Sequence, residues 1–213
     1  GLNPLTEGDI TLGDRPVVGP SAERGMVFQE DSVFPWLRVR GNVEFSLKVQ
    51  GIEDAERRRI TDEWLTRVDL LDFADSWPKE LSGGMKKRVA LTTVFAAGAE
   101  ILLMDEPFGA LDYVTRLSLH QLLLGLWQRT GRTIVFVTHD VEEALILADR
   151  ILVLTDGQIV EDITVDLPRP RNEEVRALPR GVEIVRTIVR RLGLEELTAG
   201  GGASDTATDP EAP

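Results

Sequence analysis

Residues 101–107 read Ile-Leu-Leu-Met-Asp-Glu-Pro. Four apolar residues in a row do not alternate with polar ones. Such a run predicts a strand covered on both faces, as in a parallel sheet with helices on each side. The strand would deliver Asp105 and Glu106 to the rim of the sheet, where open parallel sheets gather their functional groups. Adjacent acids there can divide two jobs. One holds Mg²⁺, directly or through water, and the other orients or deprotonates an attacking water. Two solvated acids at a strand end have the same local sequence, so neighbouring segments must decide.

A second apolar run, "TIVFVT" at 133–138, predicts another strand of the same doubly buried kind and places His139 at its end. "GMVF" at 25–28 is a shorter run that leads to Gln29. Between these runs the period is helical. Ile60, Trp64, Leu65, Val68 and Leu71 share one side of a helix expected over 53–74, with Pro78 as its breaker. A helix is expected over 113–129, stopped at Gly131, and a short one over "VEEALILA". "RILVL", "DGQ" and "IVEDITV" read as a late hairpin, and Val182, Val185, Ile188, Val189 and Leu192 mark an amphipathic helix over 182–194. Residues 1–25 suggest a small edge hairpin and turns. Residues 197–213 are rich in Gly, Ser, Thr, Pro and Asp and are expected to be disordered. Alternating strands and helices predict an α/β fold.

Composition narrows the chemistry. The 213 residues are 42% apolar, enough for a real core. The net charge of −12 argues against a large nucleic-acid face. With no cysteine, disulfides, thiolate zinc sites and cysteine nucleophiles are excluded. No apolar run approaches the roughly 20 residues of a membrane span. Residues 1–20 are Gly/Pro/Asp-rich and lack the pattern of a secretory leader.

"LSGGM" at 81–85 precedes a helical pattern. Ser82 suits the cap of that helix, and Gly83 and Gly84 permit close backbone approach to a ligand. A helix N-terminus is an anion site, to which Lys86, Lys87 and Arg88 would add positive charge. His139 could polarise a phosphoryl oxygen or position a catalytic group. The Gln29 amide could join metal, water and a neighbouring element. His120, in mid-helix, reads as structural.

The succession of Gln29, "LSGG", "ILLMDEPFGALD" and "VTHD" resembles the ABC ATPases, the nucleotide-binding subunits of ATP-driven transporters. The likeness covers about residues 5–195. "MVFQEDSVFPWLRVRGNV", "LSGGM", "DEPFGALD", "VTHDVEEAL" and "DLPRPR" are most similar to the nitrate/sulfonate/taurine importer branch. The resemblance implies an ABC-type P-loop NTPase fold, a mostly parallel sheet flanked by helices, over residues 1–196. It includes a helical subdomain of about residues 30–95, of which 30–80 would dock onto the membrane subunit.

The same resemblance implies ATP and Mg²⁺ as ligands and supplies roles. Gln29 reaches Mg²⁺ and the attacking water. Ser82, Gly83 and Gly84 contact the γ-phosphate of ATP held by a second ABC subunit. Asp105 is the metal acid and Glu106 the general base. Ala110, Leu111 and Asp112 lie at the dimer seam, and His139 steadies the γ-phosphate. Implied partners are that second subunit, an integral membrane permease and, indirectly, a substrate-binding protein, at the cytoplasmic face of the membrane and without nucleic acid. Met85, Thr93 and Ala99 stand where the family usually has Gln, Arg and Pro.

One family motif is missing. A phosphate loop reads G-x-x-x-x-G-K-[ST], whereas from Gly19 the chain runs Gly-Pro-Ser-Ala-Glu-Arg-Gly-Met, and no other match exists. Residues 19–26 are thus a connecting turn, and the family likeness places Gly1 just after the phosphate-loop helix. Two expectations follow: weak ATP binding by this chain alone, and an open apolar edge on "ILLM", since the absent strand would lie beside it. Three readings compete: an incomplete stretch of an ordinary importer ATPase, a non-hydrolysing subunit that lends its "LSGG" turn to a complete partner, and a soluble ABC ATPase of DNA repair or translation. The last class carries coiled-coil insertions or tandem domains, which this sequence lacks.

Overall fold

A computed structural model describes residues 1–30 and 33–194, so the tail expected at 197–213 lies outside it. The chain forms two compact units, Gly1–His139 and Asp140–Pro213.

The first unit opens with a two-stranded hairpin, β1 (Thr11–Leu12) and β2 (Arg15–Pro16). The turn from Gly19 is held by its own residues. Arg24 donates to the Gly19 carbonyl, and Glu23 pairs with Arg15 at 3.0 Å, so its acid is engaged locally. A parallel sheet follows in the order β3 (Arg24–Val27), β4 (Ile101–Asp105), β5 (Thr133–Val137), with Val27 beside Met104 and Met104 beside Phe136. Between β3 and β4 run α1 (Val39–Val49), α2 (Asp54–Arg67) and α3 (Gly83–Ala96); α4 (Tyr113–Thr130) joins β4 to β5.

Sequence chemistry sets the ends of these helices. Ser82 Oγ accepts from the Met85 N–H at 3.3 Å and caps α3 as expected. Asp112 caps α4 through the Thr115 N–H at 3.0 Å, and Gly131, at φ 63°, closes it in the left-handed conformation. α2 ends at Arg67, earlier than the apolar spacing over 53–74 predicts. Asp69 takes φ 57°, and Leu71–Phe73 turn as a short 3-10 helix, so the chain leaves α2 well before Pro78. Thr92 and Thr93 donate their hydroxyls to the Arg88 and Val89 carbonyls, which satisfies both within α3. Ala99 is buried, and a Cβ on Gly25 would stand 3.3 Å from its methyl, so small residues on both sides permit close packing of β3.

Two strand expectations need correction. β4 is not an open edge: it pairs with β3 and β5, and Leu102 and Met104 are buried. Nor is β5 buried on both faces. Its exposure alternates, with Val135 50% and Val137 52% accessible, and among the described residues it pairs only with β4.

The second unit contains α5 (Val141–Leu147), the antiparallel pair β6 (Arg150–Thr155) and β7 (Gln158–Thr164), and α6 (Pro179–Arg191). The hairpin turns through Asp156 and Gly157, both at positive φ, the geometry that Asp-Gly favours. α6 starts earlier than expected because Pro179 occupies its first turn. Arg171 is buried, and donates to the carbonyls of Val165 (2.8 Å), Leu167 and Ala148, tying the "DLPRPR" segment to the hairpin. Burial holds its guanidinium pKa below the usual value. No helix among the described residues is long and apolar enough to cross a membrane.

Candidate active site

The parallel sheet brings three separate segments to one rim. Gln29 follows β3, Asp105 ends β4 with Glu106 next, and His139 follows β5. Glu106 is the meeting point. Its Oε2 accepts from Gln29 Nε2 at 3.2 Å, and its Oε1 lies 3.1 Å from His139 Nδ1. With Nδ1 engaged there, Nε2 is the nitrogen of His139 left to face a ligand, and the ring is 73% exposed.

The backbone at Glu106 is special. Its φ is 40°, uncommon for a residue with a side chain, and its N–H donates to the Val137 carbonyl at 3.0 Å. That bond continues the β4–β5 ladder by one residue while the chain already turns. Strained positions of this kind collect at functional sites. Gly109 lies close by. A Cβ there would come within 3.7 Å of Glu106 Oε2 and 3.9 Å of His139 Cε1, ordinary contact distances. Sequence reading did not single it out beyond its place in "DEPFGALD".

The "LSGG" turn forms a second cluster with the residues after the β4 acids. A Cβ on Gly83 would lie 3.6 Å from Leu111, and one on Gly84 only 2.6 Å from Thr115 Cγ2. Asp112 stands in the same cluster as the cap of α4. Its bonds from Thr115, the side chain first and the backbone N–H next, hold its carboxyl below the usual range. The basic residues beyond the turn correct an expectation. Lys87 is buried and donates to the Gln29 carbonyl at 2.6 Å, while Arg88 donates to the Val68 carbonyl and Ser118 Oγ. These two cations serve the protein's interior contacts rather than an anion at the helix start. His120 is buried beside Phe108, the structural position its sequence suggested.

For a metal, the rim provides Asp105, which is exposed, and the Gln29 amide oxygen. No group of three or more His, Asp or Glu able to hold a metal occurs among the described residues. Such a sparse set suits Mg²⁺, which keeps waters and takes phosphate oxygens alongside one or two protein ligands.

The fold and its converging strand ends define a class, the P-loop-type nucleotide hydrolases. Comparison narrows the class. A sequence model of the ABC transporter family matches residues 1–109. A Brucella abortus protein described as ATP-binding is 52% identical over 181 residues, 84% of this chain and 70% of that protein. The nitrate import ATP-binding protein NrtD of Synechocystis is 48% identical over 170 residues, 79% of this chain and 64% of NrtD. The taurine import ATP-binding protein TauB of Pseudomonas entomophila is 43% identical over 192 residues, 87% and 74% of the two chains. Among solved structures, the ATP-binding cassette MJ0796, a dimer in a post-hydrolysis state with ADP and Pi, superposes with a TM-score of 0.65 at 32% identity. The match covers 75% of this chain and 74% of that one. The chain belongs to the ABC transporter family, as an ATPase of the importer branch that includes the nitrate and taurine ATP-binding subunits.

Proposed function

We propose that this chain drives import of a small solute of the nitrate, sulfonate or taurine kind, working as one of two ABC subunits beneath a membrane permease. A substrate-binding protein would select the solute, and the ATPase would sit at the cytoplasmic face. The observation that carries the reading is the convergence of Gln29 and His139 on the two oxygens of Glu106, at 3.2 and 3.1 Å. A carboxylate held from both sides is aimed, and an aimed carboxylate is what a general base needs.

In this reading Glu106 accepts the proton of the attacking water. With both ring nitrogens protonated, His139 donates from Nδ1 to Glu106 and from Nε2 to the γ-phosphoryl oxygens, where charge develops as transfer proceeds. Asp105 and the Gln29 amide oxygen would hold Mg²⁺, which would supply charge to offset that of the phosphates. Ser82 Oγ and the N–H groups at the start of α3 meet the γ-phosphate bound by the partner subunit, at the positive end of the helix dipole. Asp112 fixes the start of α4 against that turn. Import then follows from closure and reopening of the dimer.

The permease would rest on α1 and the loop before it. Trp36 is 68% exposed, with Phe45 and Val49 also accessible on that side. Phe34 packs between Trp36 and Phe45, with ring centroids 5.3 and 4.8 Å away. An exposed apolar cluster of this sort marks a contact surface.

The test is Glu106→Gln in the assembled dimer with a G-x-x-x-x-G-K-[ST] phosphate loop restored. ATP should still close the dimer while turnover falls by about two orders of magnitude or more. Ordinary turnover would contradict the role of Glu106.

A further inference from the structure

Lys87 is 5% exposed, and its Nζ donates to the main-chain carbonyl of Gln29 at 2.6 Å. It stands on α3 little more than one turn beyond the cap Ser82. Both circumstances run against local preference. A buried ammonium loses its hydration. A cation near a helix N-terminus also meets the positive end of the dipole. Methionine would fill similar space with neither penalty, so what the ammonium reaches is informative. It reaches the residue whose side chain donates to Glu106 Oε2. β3 ends at Val27, so Gln29 lies beyond the strand's regular ladder. Gln29 is therefore gripped twice, through its backbone from α3 and through its side chain from the end of β4.

We propose that Lys87 is a positioning residue that makes the placement of the Gln29 amide against Glu106 follow the position of α3. The proposal rests on the roles given above to Gln29, Glu106 and the Ser82–Gly84 turn. That turn heads the same helix and faces the partner's nucleotide. A helix moves as a rigid element, and a bond from an ammonium to a carbonyl is charge-assisted and strong. Engagement of Ser82 and its glycines with the partner's ATP is thus passed, over little more than one turn of helix, to Gln29 in the chain's own site. The two sites of the dimer are coupled through Lys87.

Hydrogen exchange on the full chain tests the grip. Lys87→Met keeps the stem and removes the donor, and Lys87→Arg restores a charged one. In Lys87→Met, amides of residues 28–30 and 33–38 should exchange about tenfold faster while those of β4 are unchanged. Lys87→Arg should return them towards the parent rate. A rise shared by β4, or no rise at 28–30, would overturn the proposal. If Lys87→Met does not fold, Lys87→Leu, which also lacks a donor, carries the same comparison.

Steady-state kinetics of the assembled dimer, with the phosphate loop restored, test the coupling. Lys87→Met should lower kcat about tenfold with KM for ATP changed by no more than about twofold, and lower the cooperativity in ATP. Unchanged kcat and cooperativity would overturn the coupling. Gln29→Ala, measured beside it, separates the two ideas. Normal turnover in Gln29→Ala would remove the role assigned to Gln29, whereas the exchange data judge the Lys87 grip without reference to turnover.

Discussion

A Cβ placed on Gly84 would stand 2.6 Å from Cγ2 of Thr115. The bare backbone of the second glycine in "LSGG" is thus already used inside the subunit, where α4 presses against the start of α3. Gly83 differs: its added Cβ would meet Leu111 at an ordinary 3.6 Å. Gly84→Ala should therefore cost stability, by about 1–3 kcal/mol as overpacking does. Gly83→Ala should leave the melting temperature nearly unchanged and alter only ATP-dependent dimer closure. Paired thermal melts and dimerisation assays check this. Equal melting losses in both variants would refute the division of labour.

The imidazole at the rim gives a second prediction. His139→Ala should abolish most turnover without changing the fold, because the ring is largely exposed and its Nδ1 bond to Glu106 is peripheral. Loss on the order of a hundredfold in kcat is expected, with far-UV circular dichroism unchanged. A variant with near-parent kcat would show that His139 only decorates the rim.

Asn42 provides a third. It is buried and is tied to one loop: its oxygen accepts from the Phe34 N–H at 2.6 Å, and the two N–H groups of its Nδ2 are shared among the carbonyls of Phe34, Leu37 and Arg38. Asn42→Ala would strand several buried backbone groups, at a cost of about 2–3 kcal/mol. The denaturant midpoint should fall with little change in slope. Since this loop carries Trp36, coupling to the permease should weaken in the same variant. An unchanged midpoint would refute the account.

Acid stability supplies the fourth. The Arg150 guanidinium holds the Asp162 carboxyl below its usual range, and Arg180 does the same for Asp166. A carboxyl whose folded pKa lies below the unfolded value, about 3.9, binds its proton less readily when folded. Its contribution is therefore present above that value and is lost as pH falls through the folded pKa. The melting temperature should hold at neutral pH and decline below about pH 4. Both acids are exposed, so the effect is small and screened by salt. The double variant Asp162→Asn/Asp166→Asn should flatten the acid limb. An acid limb as steep as the parent's would count against these pairs.

Much of the first unit could be read from its residues. "ILLMD" became the central strand, Ser82 became a cap, and Gly131 ended α4 where expected. Local chemistry suffices for such features. The misreadings depend on what lies across space. "TIVFV" is as apolar as "ILLM", yet Val135 and Val137 are half exposed, because an apolar run records the composition of a strand and not the neighbours it finds. α2 stopped early because the chain turned at Asp69, a residue with no obvious breaker character. Asn42 was missed, and Lys87 was expected to face an anion, for the same reason: each is a polar residue in a helical pattern, and its bonds go to a loop reached only by folding.

The positive φ of Glu106 has a consequence for how this sequence can drift. Glycine or asparagine would sit more comfortably in that backbone conformation. Glu106→Gly should therefore relieve strain, on the order of 1 kcal/mol, while removing the carboxylate on which Gln29 and His139 converge. Random change that favours robustness would thus push this position away from hydrolysis. Persistence of a glutamate at 106 would mark a lineage still selected to burn ATP, and its replacement by glycine would be an early sign that a copy had been released from that duty.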